Sequence, residues 1–177
     1  LGERRFRAVH ISNSFISRER AFLRKHFENA VRTIERMHPD LIIHCGGIVH
    51  EGIQQDYDLA VRLMSALSPR IIYSPAGRDI NFLGYHLFQT YFGEMDQEFS
   101  NDFITVQGFS SAQYDSSAGI IGVTGRENIL EKLNKTKSSI KAVFLHHNVV
   151  PIPHSRNKGL LEDSGDLLRN LVDSGVH

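Results

Sequence analysis

The side chains of this chain that could do chemistry follow its strand-like segments, at the point where each segment ends. The groups are, in chain order, Ser12-Asn13-Ser14-Phe15, Gly46-Gly47, Ala76-Gly77-Arg78-Asp79 and His146-His147. Because ligands of α/β sheets bind outside the carboxyl ends of the strands, we expect these four loops to converge on one rim. Imidazoles and carboxylates on such a rim are typical of a metal site, whereas an arginine is typical of an anion site.

The elements that must position these loops alternate between apolar runs and amphipathic segments. Residues 6–11, 41–45 and 70–74 are short and apolar-rich, which predicts strands. Between them, apolar residues recur at helical spacing in residues 19–37 and 54–67, which predicts two helices with one buried face each. The resulting β-α-β-α-β order indicates parallel strands joined by crossover helices.

The second half of the chain has a different pattern. Residues 81–102 are aromatic-rich and predict an irregular segment, whose aromatic side chains pack the domain edge rather than form an interaction surface. Two short apolar runs, 103–106 and 119–123, predict a hairpin-like antiparallel pair. A helix, a strand and a last helix are predicted at residues 126–134, 141–145 and 167–172.

Composition limits the class of protein. The chain has 177 residues, 41% of them hydrophobic and 23% charged, which predicts one globular domain, or one large fragment of a domain, spanning residues 1–177. Its 20 basic and 20 acidic residues cancel, so no global field attracts nucleic acid or a membrane. A small basic cluster, formed by Arg4, Arg5 and Arg7, is expected to lie in a solvent-exposed N-terminal segment. The single cysteine, Cys45, predicts a small buried side chain and a reducing, cytoplasmic setting, and no apolar run is long enough to span a bilayer.

The four strand-end loops resemble those of the calcineurin-like metallophosphoesterases. The sequence segments that carry the resemblance are "FRAVHIS" before the first loop, "HPDLIIHCGG" at the second, "IIYSPAG" at the third and "VFLHHNVVP" at the fourth. The resemblance covers essentially the whole chain and implies a β-sandwich core flanked by helices. It also implies two metal ions held by carboxylates and imidazoles, which hydrolyse phosphoesters.

The first two motifs depart from the family pattern. Asn13 stands where the resemblance implies an Asp, and Phe15 stands where it implies a His. Gly47 replaces the Asp that would bridge the two metals. An amide is a weaker ligand than a carboxylate and a phenyl ring cannot ligate, so these changes remove most of the negative charge that two dications need.

The later motifs are also changed. Arg78 and Asp79 stand at the expected Asn and His positions, and the guanidinium would repel a dication. His147 is the only intact ligand position, while His146 is expected to point to the other side of its strand. The final Gly-His-x-His does not occur before His177, so the last strands of the fold are expected to be missing.

These changes favour a non-catalytic binding or assembly module, although two alternatives remain open. One is a metal-dependent phosphoesterase whose Mn, Fe or Zn site is completed by atypical ligands or a partner chain. The other is a metal-free phosphate or nucleotide binder formed by Arg78, Asn13 and His147, unless Arg78 simply pairs with Asp79 or another local carboxylate. No cofactor is otherwise expected. The missing strands predict a protein partner or a homo-oligomer that covers the open edge, unless the sequence is a fragment of a longer protein. Membrane and nucleic acid are disfavoured.

Histidine is frequent enough to suggest a replacement metal site. The candidates are His10, His44, His50, His146, His147 and His154. No pair of them has the i, i+4 spacing of a helical zinc site, so we expect ordinary polar or core histidines.

Overall fold

In the computed structural model, which describes residues 5–153 and 158–177, the first half of the chain forms a three-stranded parallel sheet. Its strands are β1 (Ala8–Ile11), β2 (Leu41–His44) and β3 (Ile71–Tyr73), in that order across the sheet. The helices α1 (Arg24–Met37) and α2 (Gln54–Met64) connect them. The predicted β-α-β-α-β order is therefore confirmed, with boundaries shifted by a few residues at the helix ends.

A second three-stranded sheet follows. It contains β4 (Gln97–Ser100), β5 (Ile104–Gly108) and β6 (Ile140–Phe144), and β5 lies in the centre, antiparallel to β4 and parallel to β6. The helices of this half are α3 (Gly77–Ile80), α4 (Gly84–Phe92), α5 (Gly122–Lys135) and α6 (Ser164–Asp173).

The hydrophobic clusters show how the layers are stacked. Between the two sheets, Leu41 and Ile72 pack with Val106 and Phe144. One cluster joins the first sheet to α1, α2 and α4, and another joins the second sheet to α5 and α6. The architecture is a β-sandwich with helices on both outer faces, which confirms the expected fold class. Cys45 is buried as predicted, and burial raises the pKa of its thiol to about 12.

The prediction of an irregular segment at 81–102 was wrong, because this region forms α4 and β4. Its aromatic residues have helical spacing: Phe88 is fully buried, and Tyr91 stacks on Tyr57 at 5.6 Å between ring centroids. Phe92 lies 4.5 Å from the ring of Tyr73. Packing by these aromatic side chains is confirmed, whereas Phe82 remains 64% exposed.

The predicted hairpin of 103–106 with 119–123 was also wrong. The antiparallel partner of β5 is β4, and Gly119 makes only isolated bridges to Ala112 and Leu161. The chain then enters α5 at Gly122, where the Asp163 carboxylate accepts the N–H groups of Ile121 (3.0 Å) and Gly122 (2.8 Å). This cap comes from a residue about 40 positions away, so the local pattern cannot indicate it.

Among the described residues, no helix has the length and apolar character needed to cross a membrane. Arg4 and His154 lie outside the described residues.

Candidate functional site

The loop after β1 is tied to the loop after β2 by backbone hydrogen bonds. The N–H of Asn13 donates to the carbonyl of Gly46 (2.9 Å), and the N–H of Phe15 donates to the carbonyl of Gly47 (2.8 Å). Asn13 and Phe15 both adopt positive φ angles, 55° and 44°. Non-glycine residues rarely adopt this conformation, so the surrounding bonds must hold it. The two loops therefore form one hydrogen-bonded unit, which we call the shelf and which contains Asn13, Phe15 and Gly47.

Gly47 leaves no room for a side chain in this shelf. A Cβ atom at this position would lie 2.6 Å from Asn13 Oδ1 and 3.2 Å from Phe15 Cε1, and the φ angle is +67°. The space that a bridging carboxylate would need is thus occupied by the two residues that replaced the first motif.

Asp79 lies beneath the shelf and organises it. It is fully buried, and its carboxylate accepts backbone N–H groups from Gly47 (2.8 Å), Ile48 (2.8 Å), Val49 (3.0 Å) and Ala76 (2.8 Å). Burial raises the pKa of the Asp79 carboxyl group, and these hydrogen bonds oppose the rise. The Tyr57 hydroxyl donates to the backbone carbonyl of Asp79 at 2.6 Å. Asp79 is therefore a structural anchor of the strand-end loops.

Arg78 is exposed and does not pair with Asp79. Its guanidinium lies 5.8 Å from the centre of the Phe15 ring and makes one long hydrogen bond, 3.4 Å, to the carbonyl of His50. In the part of the chain that the structure describes, Arg78 forms no ion pair with a carboxylate. The expectation that Arg78 only neutralises its neighbour was wrong, because backbone N–H groups already occupy that carboxylate.

The two histidines after β6 face the same cavity, contrary to the expectation that His146 points elsewhere. Their rings lie 5.1 Å apart, edge to face. His146 Nδ1 donates to the carbonyl of Cys45 at 2.7 Å, and His147 Nδ1 lies 2.8 Å from Ser111 Oγ. Burial lowers the pKa of His147, with a smaller contribution from His146.

These loops enclose a cavity of about 490 Å³. Four of the predicted site residues line it: Asn13, Phe15, Arg78 and His147. Gly47 and Asp79 are buried and are absent from its lining. The sequence-based prediction therefore found the cavity but placed two residues on its surface that lie underneath.

Sequence reasoning missed one wall of the cavity, the loop that carries Asp115, Ser116 and Ser117. This loop follows no strand-end pattern. The pair Ser111–His147 and the bridge of Ala112 to Gly119 bring it to the rim. A serine-rich run was the only local signal, and such runs are typical of ordinary loops as well.

The residues present do not fit the two-metal centre that the fold implies. The described residues contain no group of three or more His, Cys, Asp and Glu side chains placed to hold a metal ion. Among the described residues that line the cavity, Asp115 is the only carboxylate, beside two imidazoles, two amides and a guanidinium. Two dications need several carboxylates with a shared one between them, and Gly47 removes the shared position.

His44 is a core histidine rather than a ligand. It is fully buried, and its Nε2 lies 3.0 Å from Ser14 Oγ. Within the described residues its Nδ1 has no hydrogen-bond partner. Burial is the main cause that lowers the pKa of His44 to about 3, and His10 and His146 contribute.

The stability of the protein should therefore fall in mild acid. The unfolded chain binds a proton at His44 near pH 6.5 and the folded chain binds it only near pH 3, so stability decreases as pH falls between these values. From pH 7 to pH 5 the expected loss is about 2 kcal/mol. Urea unfolding at several pH values measures it. His44→Gln should flatten the curve, whereas His26→Gln on the exposed face of α1 should leave it unchanged; equal slopes for both variants would contradict this assignment.

Comparisons with known proteins agree with the architecture. No family model matches the chain, and no curated protein sequence is similar to it. Among solved structures, a dimetal phosphatase from Danio rerio superposes with a TM-score of 0.70 at 11% identity, covering 95% of this chain and 77% of that one. A purple acid phosphatase from yellow lupin (Lupinus luteus) seeds superposes with a TM-score of 0.69 at 10% identity. That match covers 97% of this chain, which spans 36% of the lupin chain. At these identities the likeness concerns the fold, and the chain therefore has the calcineurin-like metallophosphoesterase fold that its four strand-end loops predicted.

Proposed function

We propose that this chain is a non-catalytic protein of the metallophosphoesterase fold that acts as a binding or assembly module. The supporting observation is the shelf formed by Asn13, Phe15 and Gly47. These residues occupy the strand ends where the fold would carry metal ligands, and they pack too closely for a carboxylate to enter at Gly47. A protein or a second copy of the chain is the partner we expect, and the single buried Cys45 supports a cytoplasmic setting as part of the proposal.

Charge supports the same role. The carboxylate of Asp79 accepts hydrogen bonds from four backbone N–H groups. It therefore stabilises the folded loops rather than binding a cation. Arg78 adds a positive charge to the cavity wall. The balance at this rim favours an anion over a pair of dications.

The decisive experiment measures metal content and turnover together. The purified chain should contain far less than one equivalent of Mn, Fe or Zn by mass spectrometry. It should show no hydrolysis of a phosphomonoester or phosphodiester above background when Mn²⁺ is added. Stoichiometric metal with a turnover that disappears in His147→Ala would overturn the proposal in favour of a phosphoesterase with atypical ligands.

A second candidate function is metal-free binding of a phosphate group in the cavity. The observation that favours it is the exposed Arg78, which has no acidic partner among the described residues and shares the cavity with Asn13 and His147. Arginine binds phosphate oxygens through two parallel N–H donors, and an amide side chain adds a further donor. Asp115 also lines the cavity, and its negative charge repels an anionic ligand, which limits the affinity expected.

Arg78→Ala should weaken phosphate binding, as measured by isothermal titration. We expect the native chain to bind inorganic phosphate or a nucleoside monophosphate weakly, with a loss of about tenfold or more in the variant, because a charge-assisted pair contributes roughly 1.5–3 kcal/mol. Arg32→Ala, an exposed arginine of α1 outside the cavity, is the matched control. Equal binding by the native chain and Arg78→Ala would contradict the anion site and would not affect the proposed non-catalytic role.

A further inference from the structure

A second surface of the protein carries an unusual concentration of positive charge. Four arginines line one open pocket of about 590 Å³ beside α1 and α2; they are Arg18, Arg20, Arg24 and Arg62. Phe22 lies in the wall of this pocket. We refer to it as the arginine pocket. Because the whole chain has no net charge, this positive charge is a local feature.

The arginine pocket adjoins an apolar groove. The groove has a volume of about 440 Å³ and is lined by apolar side chains of α1 and the segment before it, including Leu23, Phe27 and Val31. The end of β1 and the loop after it form its other side, where Asn13 and Phe15 also line the cavity that holds Arg78. Phe22 lines both cavities, so they lie side by side. Leu23 is 70% exposed at the groove although it is a large apolar residue. Such an exposed apolar site with a polar border is typical of an interaction surface.

The positive charge of the arginine pocket is only partly neutralised. Arg20 pairs with Glu51 at 3.0 Å, and Arg24 pairs with Glu28 at 2.8 Å. Arg18 and Arg62 form no ion pair with any carboxylate that the structure describes. Two guanidinium groups are thus available to an incoming ligand beside an open apolar groove.

We propose that the groove and the arginine pocket together dock an acidic segment of a partner protein, whose apolar side chain inserts beside Leu23 while its carboxylates pair with Arg18 and Arg62. This inference rests on the proposed role as a binding module and names the partner's chemistry. A polypeptide is favoured over an anionic membrane because the apolar surface is concave. A concave groove takes an inserted anchor side chain, whereas a bilayer needs apolar side chains that protrude.

Selection from a displayed library of random dodecapeptides against the immobilised chain tests the proposal. The enriched peptides should combine Asp and Glu with one or two Leu or Phe residues. Their affinity should fall with added salt, since the charges are exposed. Arg18→Glu with Arg62→Glu should weaken an enriched peptide by about tenfold or more, and Leu23→Ser should weaken it by several fold.

Arg32→Glu is the matched control, because it reverses an exposed arginine of α1 that lines neither cavity, and it should retain binding. Circular dichroism should confirm that each variant is folded, because all four substituted residues are exposed. Three outcomes would overturn the proposal: no enrichment, enriched peptides without acidic residues, or binding that the charge reversals leave intact. Sedimentation with phosphatidylserine vesicles that depends on the same residues, without peptide binding, would assign the surface to a membrane and also overturn it. The groove shares Asn13 and Phe15 with the cavity that holds Arg78, but none of the substituted residues lines that cavity, so peptide binding and phosphate binding are tested separately.

Discussion

Asp79→Ala is expected to lower the free energy of unfolding by about 3–5 kcal/mol, or to prevent folding altogether. The change leaves four buried backbone N–H groups without an acceptor, at Gly47, Ile48, Val49 and Ala76. Each buried donor without a partner costs on the order of 1–3 kcal/mol before relaxation, and water entering the space recovers part of that cost. Urea unfolding followed by circular dichroism measures the difference.

Two further variants test whether the loss of stability comes from the Asp79 carboxylate itself. Asp79→Asn keeps one acceptor oxygen at nearly the same shape, so its loss should be smaller than that of Asp79→Ala. Arg78→Ala, one residue away but exposed, should change stability by no more than about 0.5 kcal/mol. A stable Asp79→Ala variant would show that Asp79 does not anchor the loops.

Gly47→Ala is the second large effect expected, at about 2–3 kcal/mol of lost stability. Part of this cost is the positive φ of +67°, and part is the approach of the new Cβ to Asn13 Oδ1 at 2.6 Å. Gly47→Asp should cost at least as much, and it should not restore metal binding, because the added carboxylate meets the Asn13 side chain instead of an open site.

Gly122 offers a matched control for Gly47. Its φ is +75°, and a Cβ there would meet no atom within 4 Å, so Gly122→Ala carries only the backbone cost of about 1 kcal/mol. The difference between the two alanine variants in thermal or urea unfolding isolates the steric contribution of the shelf. Equal losses would mean that Asn13 and Phe15 can move aside, and the site would then be more adaptable than the structure indicates.

Features that depend on residues close together in the sequence could be predicted from it, whereas features that depend on contacts between distant residues could not. The order of β1 to β3 and their helices was predictable because alternating apolar runs and helical spacing are local patterns. The helix α4 was missed although Phe88 and Tyr91 have helical spacing, since their aromatic character was interpreted as loop packing. The true partner of β5 was missed because strand pairing depends on residues that a local window does not contain.

In the candidate site, too, local features were predictable and long-range contacts were not. The four strand-end loops and the absence of the expected ligands could be read from residue types alone, which is why Asn13, Phe15, Arg78 and His147 were placed correctly at one rim. The position of Asp79 beneath that rim depends on hydrogen bonds to residues 30–32 positions away. The loop containing Asp115 reaches the cavity through Ser111 and His147, which are 36 positions apart.

The sequence by itself determined the fold of this protein and its departure from the residue types that a dimetal site needs, since both follow from which residue types stand after which strands. Only the tertiary structure decided which of those residues face the cavity, which of them hold the loops together, and that Arg78 has no carboxylate to pair with among the described residues. The physical reason is that a side chain's role depends on what its atoms contact. Backbone N–H groups brought together by folding, rather than the neighbours of Asp79 in the sequence, determined what that carboxylate binds.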